Sequence, residues 1–283
     1  MQNVIKLGVL TKKLGSKRAS QQQFVITNLE EEHLEQIMGL QQVVLQNLSR
    51  PELMASISYD FMQEHIKRKG FILGAFIDGH LVAFRIVYFP QSTDQEFNMG
   101  FDIGLSTEQR TRVANLQMVC VHPDFRGNAL GSKMNRIALD LLKEQQTCEH
   151  VFASVSPHNI WNIRVLLDCG FCIVALKFKY GGKLRYIVYQ NLYKPMEFAD
   201  DQVVYTGLEN LNNQKKLFHS GRYGVALAQM QELDGGLKKN LLIHNRVVFK
   251  RPVDQQAAPF IKRVPNTAEN KRIAGARTYR HED

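Results

Sequence analysis

Val119-Cys-Val-His-Pro-Asp-Phe-Arg-Gly-Asn-Ala-Leu-Gly-Ser132 joins a β-rich apolar run to a helical one. Val113 to Val121 reads as a buried strand, Pro123 turns the chain, and Met134, Ile137, Ala138, Leu141 and Leu142 then share one helix face. Such a junction turns consecutive backbone N–H groups toward one point at the positive end of a helix dipole, where an anion binds without side-chain charge. Gly127, Ala129 and Gly131 are small enough to let phosphate oxygens reach the main chain, and Arg126 and Lys133 add positive charge nearby. A pyrophosphate is the natural guest. Glycine-containing strand–turn–helix junctions occur in many α/β proteins, so this stretch by itself predicts an anion site and not a function.

Outward from the junction the chain alternates between the two periodicities. Upstream, Phe24 to Thr27 is a short strand, and Thr27 with Glu30, or Asn28 with Glu31, gives a capping box. The helix it opens carries Leu34, Ile37, Met38, Val44, Leu45 and Leu48 on one face. Ser49-Arg-Pro-Glu52 repeats the start signal, with Leu53, Ile57, Phe61 and Ile66 as a second stripe. Phe71 to Ile77 and Leu81 to Phe89 read as a hairpin about Asp78-Gly79. Residues 91–112 are polar, contain Gly100 and Gly104, and are long enough for a functional loop.

Downstream, Val151 to Val155 is a strand, 160–168 a helix, and 171–179 with 185–193 two closing strands around Gly181-Gly182. The order β, α, α, β, β, β, α, β, α, β, β predicts an α+β fold of α/β mixed-sheet type, a central mixed sheet flanked by helices. A small C-terminal extension or subdomain follows over 196–250, and a basic, polar tail over 251–283 is expected to be disordered.

Composition bounds the class. With 283 residues, 44% hydrophobic and 22% charged, the chain can bury a sizeable core, which excludes wholesale disorder. No run approaches the length of a membrane span, and MQNVIKLGVL lacks the pattern of a secretory signal, so a cytoplasmic protein with no membrane partner is expected. The formal charge of +9 sits at the ends: +5 on the basic N-terminal segment 1–20, +7 on 238–283, and −3 on the body between. Nucleic acid is therefore not the expected partner of the central fold, and solvated basic ends are. Cys120, Cys148, Cys169 and Cys172 are too few and too unevenly spaced for a disulfide framework. Cys169-Gly-Phe-Cys172 has no second such pair to complete a zinc site, so buried thiols and no metal are expected.

Two segments resemble the GNAT superfamily of N-acetyltransferases. Val121-His122-Pro123, followed by Arg126-Gly127-Asn128-Ala129-Leu130-Gly131, is similar to its motif A, a strand ending in Val-x-Pro and then Arg/Gln-x-x-Gly-x-Gly/Ala. Ser156-Pro-His-Asn159 through Gly170-Phe171 is similar to motif B, an Asn eleven residues before a Gly-Phe pair. The resemblance covers about residues 21–195. It implies a GNAT-like acyl-CoA N-acyltransferase fold and direct transfer of an acyl group, acetyl in the first instance, from acetyl-CoA to a primary amine without a metal. It also implies site residues. Main-chain groups of Val119, Cys120 and Val121 would run beside the pantetheine arm, exposed where the family's fourth and fifth strands splay. Arg126 and the backbone from Gly127 through Asn128, Ala129, Leu130 and Gly131 to Ser132 would hold the pyrophosphate. Asn159 would meet the cofactor near the pantetheine, serve as a helix cap, or do both.

Direct transfer needs a route for the amine proton, donors for the carbonyl oxygen, and an acid for the departing thiolate. Here the chain departs from the family. Leu166 stands where many members carry a tyrosine, Asn115 and Gln117 where a carboxylate is common, and Ser154 where some have glutamate. Three readings stay open: a water wire held by Asn115 or Gln117 with positioning supplying the rate, an acid or base from Asp102, His122 or Tyr180, or a regulatory module that binds CoA without turnover. A nucleic-acid-interacting protein using its basic termini is the remotest alternative. The acceptor, a small-molecule or protein amine, would face residues 91–112, and a homodimer is a further open assembly. Trp161 is expected to pack rather than to serve as a ligand platform.

Overall fold

The computed structural model describes residues 4–14, 18–233 and 241–254. The chain opens with a hairpin, β1 (Val4–Leu14) and β2 (Arg18–Asn28), followed by α1 (Leu34–Gln46), α2 (Tyr59–Arg68), β3 (Gly70–Ile77) and β4 (His80–Tyr88). After a long loop with one short helix, α3 (Thr107–Arg110), come β5 (Val113–Val121), α4 (Leu130–Gln145), β6 (His150–Val155), α5 (Ile160–Leu167), β7 (Cys172–Lys179) and β8 (Lys183–Asn191). The C-terminal part adds β9 (Val204–Gly207), α6 (Leu211–His219), β10 (Tyr223–Leu233) and β11 (Leu241–Lys250). All eleven strands join one mixed sheet in the order β1-β2-β3-β4-β5-β6-β8-β7-β10-β11-β9. Among the described residues its one parallel pair is β5 with β6, which meet only from Val113↔His150 to Asn115↔Phe152.

Side-chain alternation on the central strands sends apolar groups to both faces, so both faces need cover. On one, Ala83, Val87 and Leu116 pack beneath Leu130, Met134, Ala138 and Leu142 of α4 and Ile163 and Leu166 of α5. On the other, Phe84, Ile86, Met118 and Cys120 meet Leu34, Ile37, Leu40 and Val44 of α1 and Met62 of α2. Beyond β5 that second face is covered instead by the loop before it, whose Met99, Ile103 and Leu105 pack on Phe152, Val174 and Ile187. The expected hairpin turn is present: Asp78 and Gly79 take φ of 48° and 79°, and Ile77 pairs with His80.

Several local expectations are corrected. The expected capping box is replaced by Glu30, whose amide hydrogen-bonds His33 Nδ1 at 3.0 Å, and a 3₁₀ turn over Glu31–His33 leads into α1. Pro51 opens only a 3₁₀ turn, and α2 begins eight residues later with Ser58 as cap, its hydroxyl accepting from Phe61 N at 3.2 Å. The first strand is longer than Phe24 to Thr27, and the basic start is not a solvated tail over 4–14 but its paired neighbour. The expected C-terminal extension over 196–250 adds strands to the same sheet, where Gly224 of β10 pairs with Ile173 of β7. A Cβ on Gly224 would lie 2.8 Å from Val247 Cγ1 and 3.0 Å from Ile173 Cδ1, so this approach needs glycine. Beyond Arg251, Pro252 bridges Phe198 and Val253 N bonds Glu197 O at 2.9 Å, so the chain is ordered to Asp254; the rest of the expected disordered tail lies outside the described residues.

Candidate functional site

Past Asn115 the β6-facing edge of β5 has no ladder partner among the described residues, and backbone groups left in that state call for another partner. A cleft of about 1130 Å³ opens there. Opposite β4 the register shifts by one residue, Ile86↔Met118 giving way to Val87↔Leu116, which makes Gln117 the extra residue of a β-bulge. Gln117, Val119 and Val121 are the partly open positions of this stretch, and all three line the cleft. Cys120 does not. It alternates to the other face, where its thiol is buried, held up at about 12 by that burial, and 3.9 Å from Met54 Sδ.

At the far end lies the N-terminus of α4. Ala129 is its cap residue, in the left-handed conformation with φ 54°, and supplies no side-chain bond to the first turn. By contrast α2, α3, α5 and α6 are each capped by a Ser or Asn side chain. The first intrahelical acceptor is Ala129 O, bonded by Lys133 N, so the amides of Leu130, Gly131 and Ser132 belong to the set that a helix leaves unpaired. Arg126, Gly127, Leu130 and Gly131 line the cleft. Gly127 needs its φ of 91°, whereas a Cβ on Gly131 would meet nothing nearer than Val119 Cγ2 at 3.9 Å. Space beside Gly131 is thus open to a ligand.

Asn128 has a different place from the one expected. Its amide clamps the backbone of β1, accepting from Thr11 N and donating to Thr11 O, both at 2.8 Å, and it also bonds Phe125 O at 2.9 Å. Asn159 caps α5, accepting from Asn162 N at 3.2 Å, and also lines the cleft. Trp161 overturns the expected packing role: 78% exposed, it stands at the cleft wall with Arg164 5.9 Å from its ring.

The candidate acid–base residues separate clearly. Asn115 is fully buried, does not line the cleft, and donates to Phe97 O at 2.6 Å. Asp102 is in an ion pair with Lys179 at 3.1 Å and does not line the cleft. His122 is a turn residue whose Nδ1 accepts from Asp124 N at 3.3 Å. Gln117 remains at the splay with its Oε1 buried and unpartnered. Tyr180 is also in the cleft, its hydroxyl 2.9 Å from Ser154 Oγ on β6. Burial pushes the Tyr180 pKa up and the Ser154 bond offsets part of that, so the phenol carries its proton at neutral pH. Arg85 and Arg185 line the same cleft, and neither was singled out in the sequence. Among the lining residues the one carboxylate is Glu96, at the rim beside Phe97 and Phe61.

Among the described residues no helix is long and apolar enough to cross a membrane. No curated protein matches the sequence. Among solved structures the chain is similar to a GNAT-family acetyltransferase from Streptococcus pneumoniae, at 14% identity over 59% of this chain and 98% of that one, with a TM-score of 0.45. It is likewise similar to yncA of Salmonella typhimurium with its cofactor acetyl-CoA (16%, 63% and 98%, 0.46) and to the paia N-acetyltransferase of Thermoplasma acidophilum in complex with coenzyme A (16%, 59% and 98%, 0.43). Residues 35–171 match the family described as acetyltransferase (GNAT) family. That span takes in nearly all of α1, the splayed β5 and β6, the α4 turn and α5, and residues 35–171 are thereby identified as an acetyltransferase domain of the GNAT family.

Proposed function

We propose that the chain transfers an acetyl group from acetyl-CoA to a primary amine by direct attack. The observation that carries this reading is the continuity of one cleft from the unpaired edge of β5 to the uncapped N-terminus of α4. The donor set fits the donor substrate: strand edge for the amides of a pantetheine arm, helix amides and Arg126 for phosphates, and open space beside Gly131. When bound, acetyl-CoA supplies the activated thioester carbonyl. Val119 N–H is placed on the strand edge to polarise it. Gln117 Oε1 accepts from the incoming amine and orients its lone pair, and the rim of Phe61, Phe97 and Glu96 admits an amine with an apolar neighbourhood. The C–N bond forms, the C–S bond breaks, the surplus amine proton passes to water, and Tyr180 gives its proton to the sulfur and recovers one through Ser154.

The test is thiol release from acetyl-CoA by the full chain against a pool of primary amines. Release that depends on the amine supports transfer; cofactor binding without release from any amine in the pool contradicts it. A second reading, CoA binding without turnover, draws on the same splay, where neither Asn115 nor Gln117 can accept a proton. It predicts the second outcome.

A further inference from the structure

Arg85 is a buried cation with no anion beside it among the described residues. It lies in β4 opposite Val119 of β5, is 2% exposed, and reaches the face covered by α4, where Nη2 donates to Asn135 Oδ1. Among the described residues that is the only hydrogen bond of a group with five N–H donors, and none of those residues partners the buried Nε. Among the described residues no carboxylate pairs with it. The titratable groups that act on it are the thiols of Cys169 and Cys120, and the second is un-ionised. Burial lowers the Arg85 pKa to about 10, which leaves it charged at neutral pH. A charge in this state works against folding unless something on binding satisfies it.

Its position says what that is. Arg85 lines the cleft together with Leu130 and Gly131, and its ladder partner Val119 is the residue nearest the open space beside Gly131. An uncapped helix end above and an unspent guanidinium below share one cavity. We propose that Arg85 is a second anion-binding element, gripping the pyrophosphate of the acyl-CoA donor from the sheet side while the α4 amides grip it from the helix side. This rests on the acyl-CoA reading above. The planar guanidinium matches two phosphate oxygens at once, which lysine does not.

The experiment compares wild type, Arg85→Met and Arg85→Gln of the full chain, titrated with CoA and with pantetheine, which has no pyrophosphate. Loss of a charge-assisted contact predicts CoA binding weaker by about 10–100-fold in both variants, with pantetheine binding unchanged. The ligand-free Arg85→Met protein is expected to melt no lower than wild type, because an unpaired buried charge has been removed. CoA affinity within about twofold of wild type, or an equal loss toward pantetheine, overturns the assignment while leaving the functional reading intact. Wild type that fails to bind CoA overturns both.

Discussion

At the scale of the residue, Tyr180 could be named along the chain as a candidate acid, but its partner is plain only in the fold. It occupies a left-handed turn position, φ 52°, at the end of β7, and that turn carries its ring back over the splay to reach Ser154, 26 residues away in sequence. No periodicity encodes such a meeting. Asn115 and Gln117 were equally legible as a pair, yet the bulge separates them, burying one against Phe97 O and turning the other to the cleft. Tyr180→Phe is expected to cut turnover by about 10²-fold with CoA affinity unchanged, the loss typical of one positioned acid. Steady-state kinetics beside a binding titration separate the two quantities, and a normal turnover removes the acid role.

Another single residue contributes to the response to pH. His65 sits among Phe61 and Tyr88, its Nε2 bonded to Val87 O at 3.0 Å, and burial holds its pKa down at about 4. Between pH 6.5 and 4 the unfolded chain therefore takes up a proton that the folded chain does not. Stability contributed by the neutral ring is whole above pH 6.5 and declines as pH falls toward 4, by at most about 3 kcal/mol. His150, also lowered by burial, acts in the same direction. Melting temperatures across that range should fall more steeply for wild type than for His65→Phe; parallel curves would show that the ring does not titrate on unfolding.

At the scale of elements, the β5–α4 junction and the 78–79 hairpin were readable because proline, glycine and Asp-Gly impose local backbone geometry. The N-terminal hairpin was not. Lys6, Lys12 and Lys13 gave the start the look of a charged tail, and an edge strand with Leu7 and Val9 exposed lacks a clean inward stripe. Its function in the fold becomes clear only from Asn128, whose amide fastens Thr11 to the turn that precedes α4. Asn128→Ala should cost about 1–3 kcal/mol for three lost bonds, two to Thr11 and one to Phe125 O, and raise the hydrogen-exchange rate of the Thr11 amide. On the proposed function CoA affinity should drop with it, because the turn before α4 loses its brace. Unchanged exchange at Thr11 would mean that the hairpin is held by other contacts.

At the scale of the whole molecule, one sheet runs from the N-terminal hairpin to the C-terminal strands, and the cleft lies where β5 and β6 part. The central order of strands and helices was legible from periodicity alone, and the two GNAT-like segments flank the splay as their order implies. Attachment of the C-terminal strands was not, because it depends on a one-residue pairing at Gly224 and on Gln214, which binds the Tyr186 hydroxyl and the carbonyls of Gly207 and Leu208. Such long-range latches leave no local trace.

On the proposed function this cleft takes acyl-CoA by the backbone of the α4 turn. The most direct test is calorimetric titration of wild type and Gly131→Val with acetyl-CoA, with fluorescence of Trp161, the only tryptophan, as an independent signal at the cleft wall. Because a side chain at position 131 would enter open space and not the core, the variant should keep the wild-type melting temperature while losing affinity at least about tenfold, the equivalent of one lost contact to a charged group. Equal binding by the two proteins, or none by wild type, would contradict the account.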